Sequence, residues 1–206
     1  VYRRTSAIID HGAGRSYVVD FFRVEGGQKQ DFVYHASATT AEVLDRATAA
    51  GSVAGAVPTM RLYDFERVRA LEGGDVWRTT WQAGPDLTAV AWNVSQPGER
   101  AWMADGWGQR DWRNTDIGTT LPYIVRRTEG AGLKIFASVF EGYAGGQPFV
   151  RRVTKRSPGV LVIETALGTD TVMSDPRGGT LIFAADDGRD QTLKGRIAVA
   201  SVQAGK

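Results

Sequence analysis

Cysteine is absent from the 206 residues, which excludes disulfide frameworks, thiolate zinc sites, iron–sulfur clusters and cysteine nucleophiles. Histidine is nearly as scarce, with His11 and His35 alone. A three-ligand zinc site would need both of them plus a carboxylate, and their separation gives no metal-ligand spacing. The expectation is therefore no metal and no cofactor. No apolar run approaches the roughly 18–20 residues that a membrane helix needs, and no charged segment followed by an apolar one marks a signal peptide. Neither sign of charge dominates, because 25 Lys and Arg against 23 Asp and Glu leave a net +2. A nucleic-acid binder concentrates its basic residues, and nothing denser than Arg151-Arg152…Lys155-Arg156 occurs. Neither nucleic acid nor membrane is an expected partner. Nucleotide and hydrolase motifs are missing too. Gly12-Ala13-Gly14 lacks the third glycine of a phosphate loop and leads into a strand pattern instead of a helix.

What is abundant is glycine, 25 of 206 residues against a usual level of about 7%. It punctuates short extended segments: Ser16–Val24, Gln30–His35, Arg61–Arg69, Val76–Gln82, Leu87–Val94, Tyr123–Thr128 and Leu133–Phe140. Phe149–Thr154, Val160–Thr165, Thr171–Ser174, Thr180–Ala184 and Leu193–Val202 continue the series. Gly84-Pro85-Asp86 and Glu129-Gly130-Ala131-Gly132 each separate two segments and predict two hairpins. With 42% apolar residues to fill a core, roughly a dozen strands predict an all-β fold, a layered antiparallel β-sandwich in one domain. One short helix is expected at most, over Thr40–Ala50, capped by Thr39 or Thr40 and ended by Gly51. Gly51–Ala56 reads as a loop. Strand character begins at the first residue, with no initiator Met, so a processed or C-terminal part of a longer protein is expected.

The most unusual stretch is Trp102–Gly118. Three of the six tryptophans, Trp102, Trp107 and Trp112, fall in it, interleaved with Asp105, Gln109, Arg110, Asp111, Arg113, Asn114 and Asp116. Flat aromatic faces beside fork-like polar groups suit sugar rings and their hydroxyls or carboxylates. The competing reading is a self-packed loop with its tryptophans in the core and its charges paired together. Asp105, Asp111 and Asp116 form the only acidic cluster beside aromatics, but glycoside hydrolysis needs a defined carboxylate pair that spacing alone does not select. His11 reads as a solvent-exposed turn residue. His35, among Phe32, Val33 and Tyr34, reads as the histidine more open to burial, as a structural or a functional group. Asn93-Val94-Ser95 matches a glycosylation sequon, too short a pattern to use.

Several blocks in order resemble the β-sheet portion of heparinase II/III-like proteins. They are Tyr2-Arg3-Arg4-Thr5…Ile9-Asp10, Tyr17–Gly27 and Asp31…Tyr34-His35, then Gly106–Trp112, Leu121–Arg127 and Ser138-Val139-Phe140-Glu141…Tyr143. The resemblance covers most of residues 2–143. It implies an α-helical toroid upstream of a layered β-sheet domain, in an extracytoplasmic polysaccharide lyase acting on uronate-containing glycans by β-elimination. A base takes the C5 proton, the C4–oxygen bond breaks, and the leaving oxygen accepts a proton from an acid. The family's catalytic Tyr and His lie in or near the toroid and its metal ligands precede the matched region, so no catalytic residue carries over. The chain alone is expected to be inactive, its partners being the acidic polysaccharide and the upstream helical domain. His35 matches a recurrent family position, although Ala36 stands where Gly often follows. Trp107, Gln109, Arg110, Trp112 and His35 are the expected substrate contacts. The alternatives are a non-catalytic carbohydrate-binding module and a structural or interaction β-sandwich.

Overall fold

The computed structural model describes residues 1–48, 65–108, 111–184 and 190–203, and every regular element among them is a strand. The first are β1 (Tyr2–Asp10), β2 (Ser16–Val24), β3 (Lys29–His35), β4 (Ala41–Leu44), β5 (Ala47–Thr48) and β6 (Glu66–Glu72). β7 (Val76–Gln82), β8 (Leu87–Val94), β9 (Arg100–Trp107), β10 (Thr120–Glu129) and β11 (Lys134–Ala144) follow. β12 (Val150–Ser157), β13 (Val160–Thr165), β14 (Gly168–Ser174), β15 (Thr180–Ala184), β16 (Asp190–Lys194) and β17 (Ile197–Gln203) complete the series. The fold is an all-β sandwich of stacked antiparallel sheets.

A six-stranded sheet in the order β1-β2-β11-β8-β7-β4 forms the central layer. Both of its faces are covered, so β2 is buried almost throughout instead of alternating. Tyr17, Val19, Phe21, Trp92 and Val139 point one way and pack on Val153, Leu161, Ile163 and Val172 of the four-stranded sheet β12-β13-β14-β17. Trp77, Trp81 and Ala91 point the other way, onto Leu71, Met103 and Ile124 of the five-stranded sheet β3-β10-β9-β6-β5. Phe22 and Phe136 join Phe32 in the same interface. The β15–β16 pair covers the outside of the four-stranded sheet, placing Phe183 and Leu193 on Val160 and Met173.

Two expectations fail locally, each because a distant contact outweighs a nearby preference. Thr40–Ala50 is not a helix over its described residues. Ala41–Leu44 pairs with Trp81–Arg78 of β7, and Ala47–Thr48 pairs with β6. Ala41 and Val43 gain the Trp77–Trp81 cluster by lying flat on it. Asp45 adopts a left-handed φ of 68° at the bend between the strands, and its carboxylate accepts from Arg78 Nε at 2.8 Å. Residues 49–50 and the expected loop Gly51–Ala56 lie outside the described residues, as do positions 61–64 of the strand expected over Arg61–Arg69. The second hairpin is also not one. β7 and β8 do pair across Gly84-Pro85-Asp86, but β10 belongs to the five-stranded sheet and β11 to the central one. Glu129–Gly132 is an arch between layers. It runs beside a second arch joining β2 to β3, and buried Gln30 stitches the two through Nε2 to the carbonyls of Gly26, Gly27 and Gly130 at 2.9–3.1 Å.

Between the central and five-stranded sheets sits Arg126, fully buried. All five of its N–H donors have partners. Nε and Nη2 grip the Glu99 carboxylate at 2.7 and 3.0 Å, and Nη2 also reaches Val94 O at 2.7 Å. Nη1 reaches Ala137 O at 3.1 Å and Ser138 Oγ at 3.0 Å. Glu99 is equally buried, and removing one member of such a pair strands the other charge. Arg126→Met is expected to cost about 3–5 kcal/mol, read from the urea unfolding midpoint. The double variant R126M/E99M is expected to recover most of that loss, and equal destabilisation by the single and double variants would contradict the account.

Candidate functional site

β3 starts from one arch and β9 from another, Ser95–Glu99, so both end at the far side of the sandwich. There β3 closes with His35 and β9 with Gly106-Trp107. Cross-strand pairing sets His35 beside Tyr123 of β10, and their rings pack with centroids 4.4 Å apart. Tyr123 is itself buried and donates its O–H to Trp107 O at 2.8 Å. This close packing requires glycine at 106. A Cβ there would lie 2.7 to 2.8 Å from ring carbons of Tyr123 and Phe65. Gly108 is constrained from the other side, since a Cβ would meet Thr119 O at 2.8 Å and Leu121 Cγ at 2.9 Å. Trp107 thus stands between two glycines that are each locked against β10, and the residue is 47% exposed. His35 is exposed, not buried. Its Nδ1 lies 3.1 Å from Ala36 O; a carbonyl only accepts, so Nδ1 carries a proton and the neutral ring keeps its lone pair on Nε2.

The loop beyond Gly108 organises itself. The Asp111 carboxylate accepts from Arg113 N at 3.0 Å and from both the N and the Oγ1 of Thr115. Those hydrogen bonds, Thr115's first, hold its pKa below the ordinary carboxylate value. Asp116 accepts from Asp111 N at 3.2 Å. Asp105 is buried and bound by Arg67. The three aspartates therefore do structural work, and the glycoside-hydrolase arrangement finds no support in them. The tryptophans divide. Trp102 is core, while Trp112 is 83% exposed with the Arg113 guanidinium 4.8 Å above its ring. Of the expected contacts, the structure places His35 and Trp107 at the same end of the five-stranded sheet but on opposite faces, His35 with Tyr123 and Trp107 with Thr120 and Pro122, and leaves Trp112 on the adjoining loop. Gln109 and Arg110 lie outside the described residues.

Reasoning from sequence missed a second polar cluster and misplaced His11. This side chain is 11% exposed, not a free turn residue. Its Nε2 lies 2.7 Å from Asp170 Oδ2, and Tyr17 donates its O–H to the same oxygen at 2.5 Å. Phe149 packs edge-on against the His11 ring, centroids 5.2 Å apart. Asp170 is on β14, so the cluster pins the β1–β2 turn to the four-stranded sheet. Nearby on β11, burial raises the Glu141 carboxyl against two hydrogen bonds from the backbone N–H groups of Phe149 and Val150. The His11–Asp170–Tyr17 cluster joins the central layer to the four-stranded one. No group of three or more His, Asp and Glu side chains among the described residues has the geometry of a metal site.

No protein-family model matches the chain, and the search of curated proteins gave no match. The functional reading rests on the geometry and on the resemblance of the sequence blocks.

Burial, then the hydrogen bond and charge of Asp170, push the Tyr17 hydroxyl well above its ordinary value of 10.0. The folded chain keeps this proton where the unfolded chain releases it. Its contribution to stability is complete below pH ~10 and is lost as pH rises beyond that value. Thermal midpoints measured against pH are expected to fall above pH ~10, and to fall less steeply in Tyr17→Phe. Superimposable slopes would contradict the assignment.

Proposed function

We propose that this chain is the β-sheet domain of a heparinase II/III-like polysaccharide lyase, forming one wall of a cleft for uronate-containing glycans. In this reading the main catalytic groups belong to an upstream helical domain, and the parent protein works outside the cytoplasm. The observation that carries the proposal is Trp107. An exposed indole held at a strand end between two tightly packed glycines presents a flat apolar face at low entropic cost, the form of contact that sugar C–H surfaces favour. Trp112, on the adjoining loop, adds a second exposed ring, while His35 stands at the same end of the sheet on its opposite face. The second reading is a non-catalytic carbohydrate-binding module. It is favoured by the engagement of Asp105, Asp111 and Asp116 within the fold, which leaves aromatic contact without an acid–base pair.

Titration with alginate, heparan sulfate and hyaluronan, followed by tryptophan fluorescence, is expected to show saturable binding that weakens at least fivefold in Trp107→Ala. The ultraviolet absorbance of an unsaturated product is expected to stay flat with the chain alone. Absence of binding, or equal binding by Trp107→Ala, would overturn the cleft-wall reading. Sustained product formation would place the catalytic groups on this chain.

A further inference from the structure

Period-two alternation puts Asp105 on the same face of β9 as Trp107, two residues before it. Beside Asp105, at the open margin between the central and five-stranded sheets, lies a cavity of about 480 Å³ lined by Thr39, Thr40, Arg67, Arg69 and Asp105. That volume is within the range of about 300–1,000 Å³ common for small-molecule sites. Pro122, whose carbonyl accepts from Trp81 Nε1 at 3.4 Å, also lines it.

The cavity's construction is irregular in a purposeful direction. The pairing of β6 with β9 slips between Glu66 and Arg69, and Arg67 within that slip has a left-handed φ of 45°. Bulges of this kind re-aim side chains, and such backbone strain concentrates at binding and catalytic sites. Here the result is that both Arg67 and Arg69 line one cavity. Arg67 is held by Asp105, whose side chain is 10% exposed, while most of the Arg67 side chain stays in solvent. Arg69 is exposed and has no hydrogen bond or ion pair among the described residues. Two guanidinium groups against one carboxylate leave the site a net positive charge and a vacant planar fork. Neither threonine hydroxyl has a hydrogen-bond partner among the described residues.

We propose that this cavity is a subsite for the carboxylate of one acidic sugar residue, which Arg69 takes bidentately while the ring packs toward Trp107. The inference rests on the glycan-facing reading above. A planar guanidinium matches a carboxylate in shape and charge. Asp105 cannot withdraw from the site and so disfavours a doubly charged phosphate. The unpartnered threonine hydroxyls suit sugar hydroxyls.

Calorimetric titrations with an oligouronate, a neutral oligosaccharide of equal length and a sulfated neutral oligosaccharide test this in the wild type, Arg69→Gln and Trp107→Ala. Arg69 is exposed, and an unchanged thermal midpoint shows that its variant is folded. The expected result is that Arg69→Gln lowers the ratio of oligouronate to neutral affinity about tenfold, with a weaker dependence on salt. If Arg69→Gln leaves that ratio unchanged while Trp107→Ala weakens binding, the subsite is overturned and the glycan-facing reading stands. If the sulfated ligand, and not the oligouronate, depends on Arg69, the carboxylate assignment is overturned. If the wild type binds none of the three, the glycan-facing reading falls and the subsite with it.

Discussion

A guanidinium buried between two sheets is costly unless every donor finds an acceptor, and Arg126 imposes that condition on two strands and an arch at once. Its acceptors come from the end of β8, from the arch that follows it and from the middle of β11. The central and five-stranded sheets are therefore joined at a fixed register and not by apolar contact alone. Non-directional packing fixes how much surface is buried, but it lets layers slide. A saturated fork of hydrogen bonds does not. The neighbouring Arg127 faces the opposite side of β10 and binds Asp31 of β3 through Nε at 2.7 Å and Nη2 at 3.1 Å. Two consecutive arginines thus tie one strand to its neighbour and to the adjoining layer.

The proposed glycan wall is a consequence of that joint. Once β10 is fixed, Tyr123 is fixed, and Tyr123 in turn decides what its neighbours can be. It seats His35 in the register of β3, excludes any Cβ at position 106 and holds the Trp107 carbonyl. The exposed indole therefore inherits its rigidity from the core. On the other side of the central sheet, His11, Tyr17 and Asp170 play the corresponding role for the four-stranded layer, with one carboxylate oxygen serving both partners. In both places buried polar groups sit where layers meet.

The strands were legible because their determinants are local. Extended runs bounded by turn residues marked Val76–Gln82 and Leu87–Val94 to the residue, and Gly84-Pro85-Asp86 marked the turn between them. The partnerships of strands were less legible. Glu129–Gly132 has the composition of a hairpin turn, yet Arg126 and Gln30 make it an arch by contacts across layers. Thr40–Ala50 has a capping threonine and a helix-like composition, yet Trp77 and Trp81 offer Ala41 and Val43 more burial than a helix would. His11 looked exposed because the residue that buries it, Asp170, is 159 positions away. At the candidate site, the Trp-rich stretch stood out by composition, and His35 and Trp107 share one end of the sheet but lie on opposite faces of it. Spacing did not reveal that the three aspartates are consumed by the fold. Nor did it reveal Arg67 and Arg69, because their convergence depends on a slipped register that no local pattern announces.

Indole resonances provide the most direct test of the central claim, that this face of the sandwich meets a glycan. Trp77, Trp81, Trp92 and Trp102 are buried, and Trp107 and Trp112 are exposed. With each tryptophan Nε1–H assigned by substitution, the account requires an oligouronate titration to move the Trp107 signal, with Trp112 following, while the four buried signals stay in place. Perturbation spread across the buried indoles, or a Trp107 resonance indifferent to saturating ligand, would contradict it.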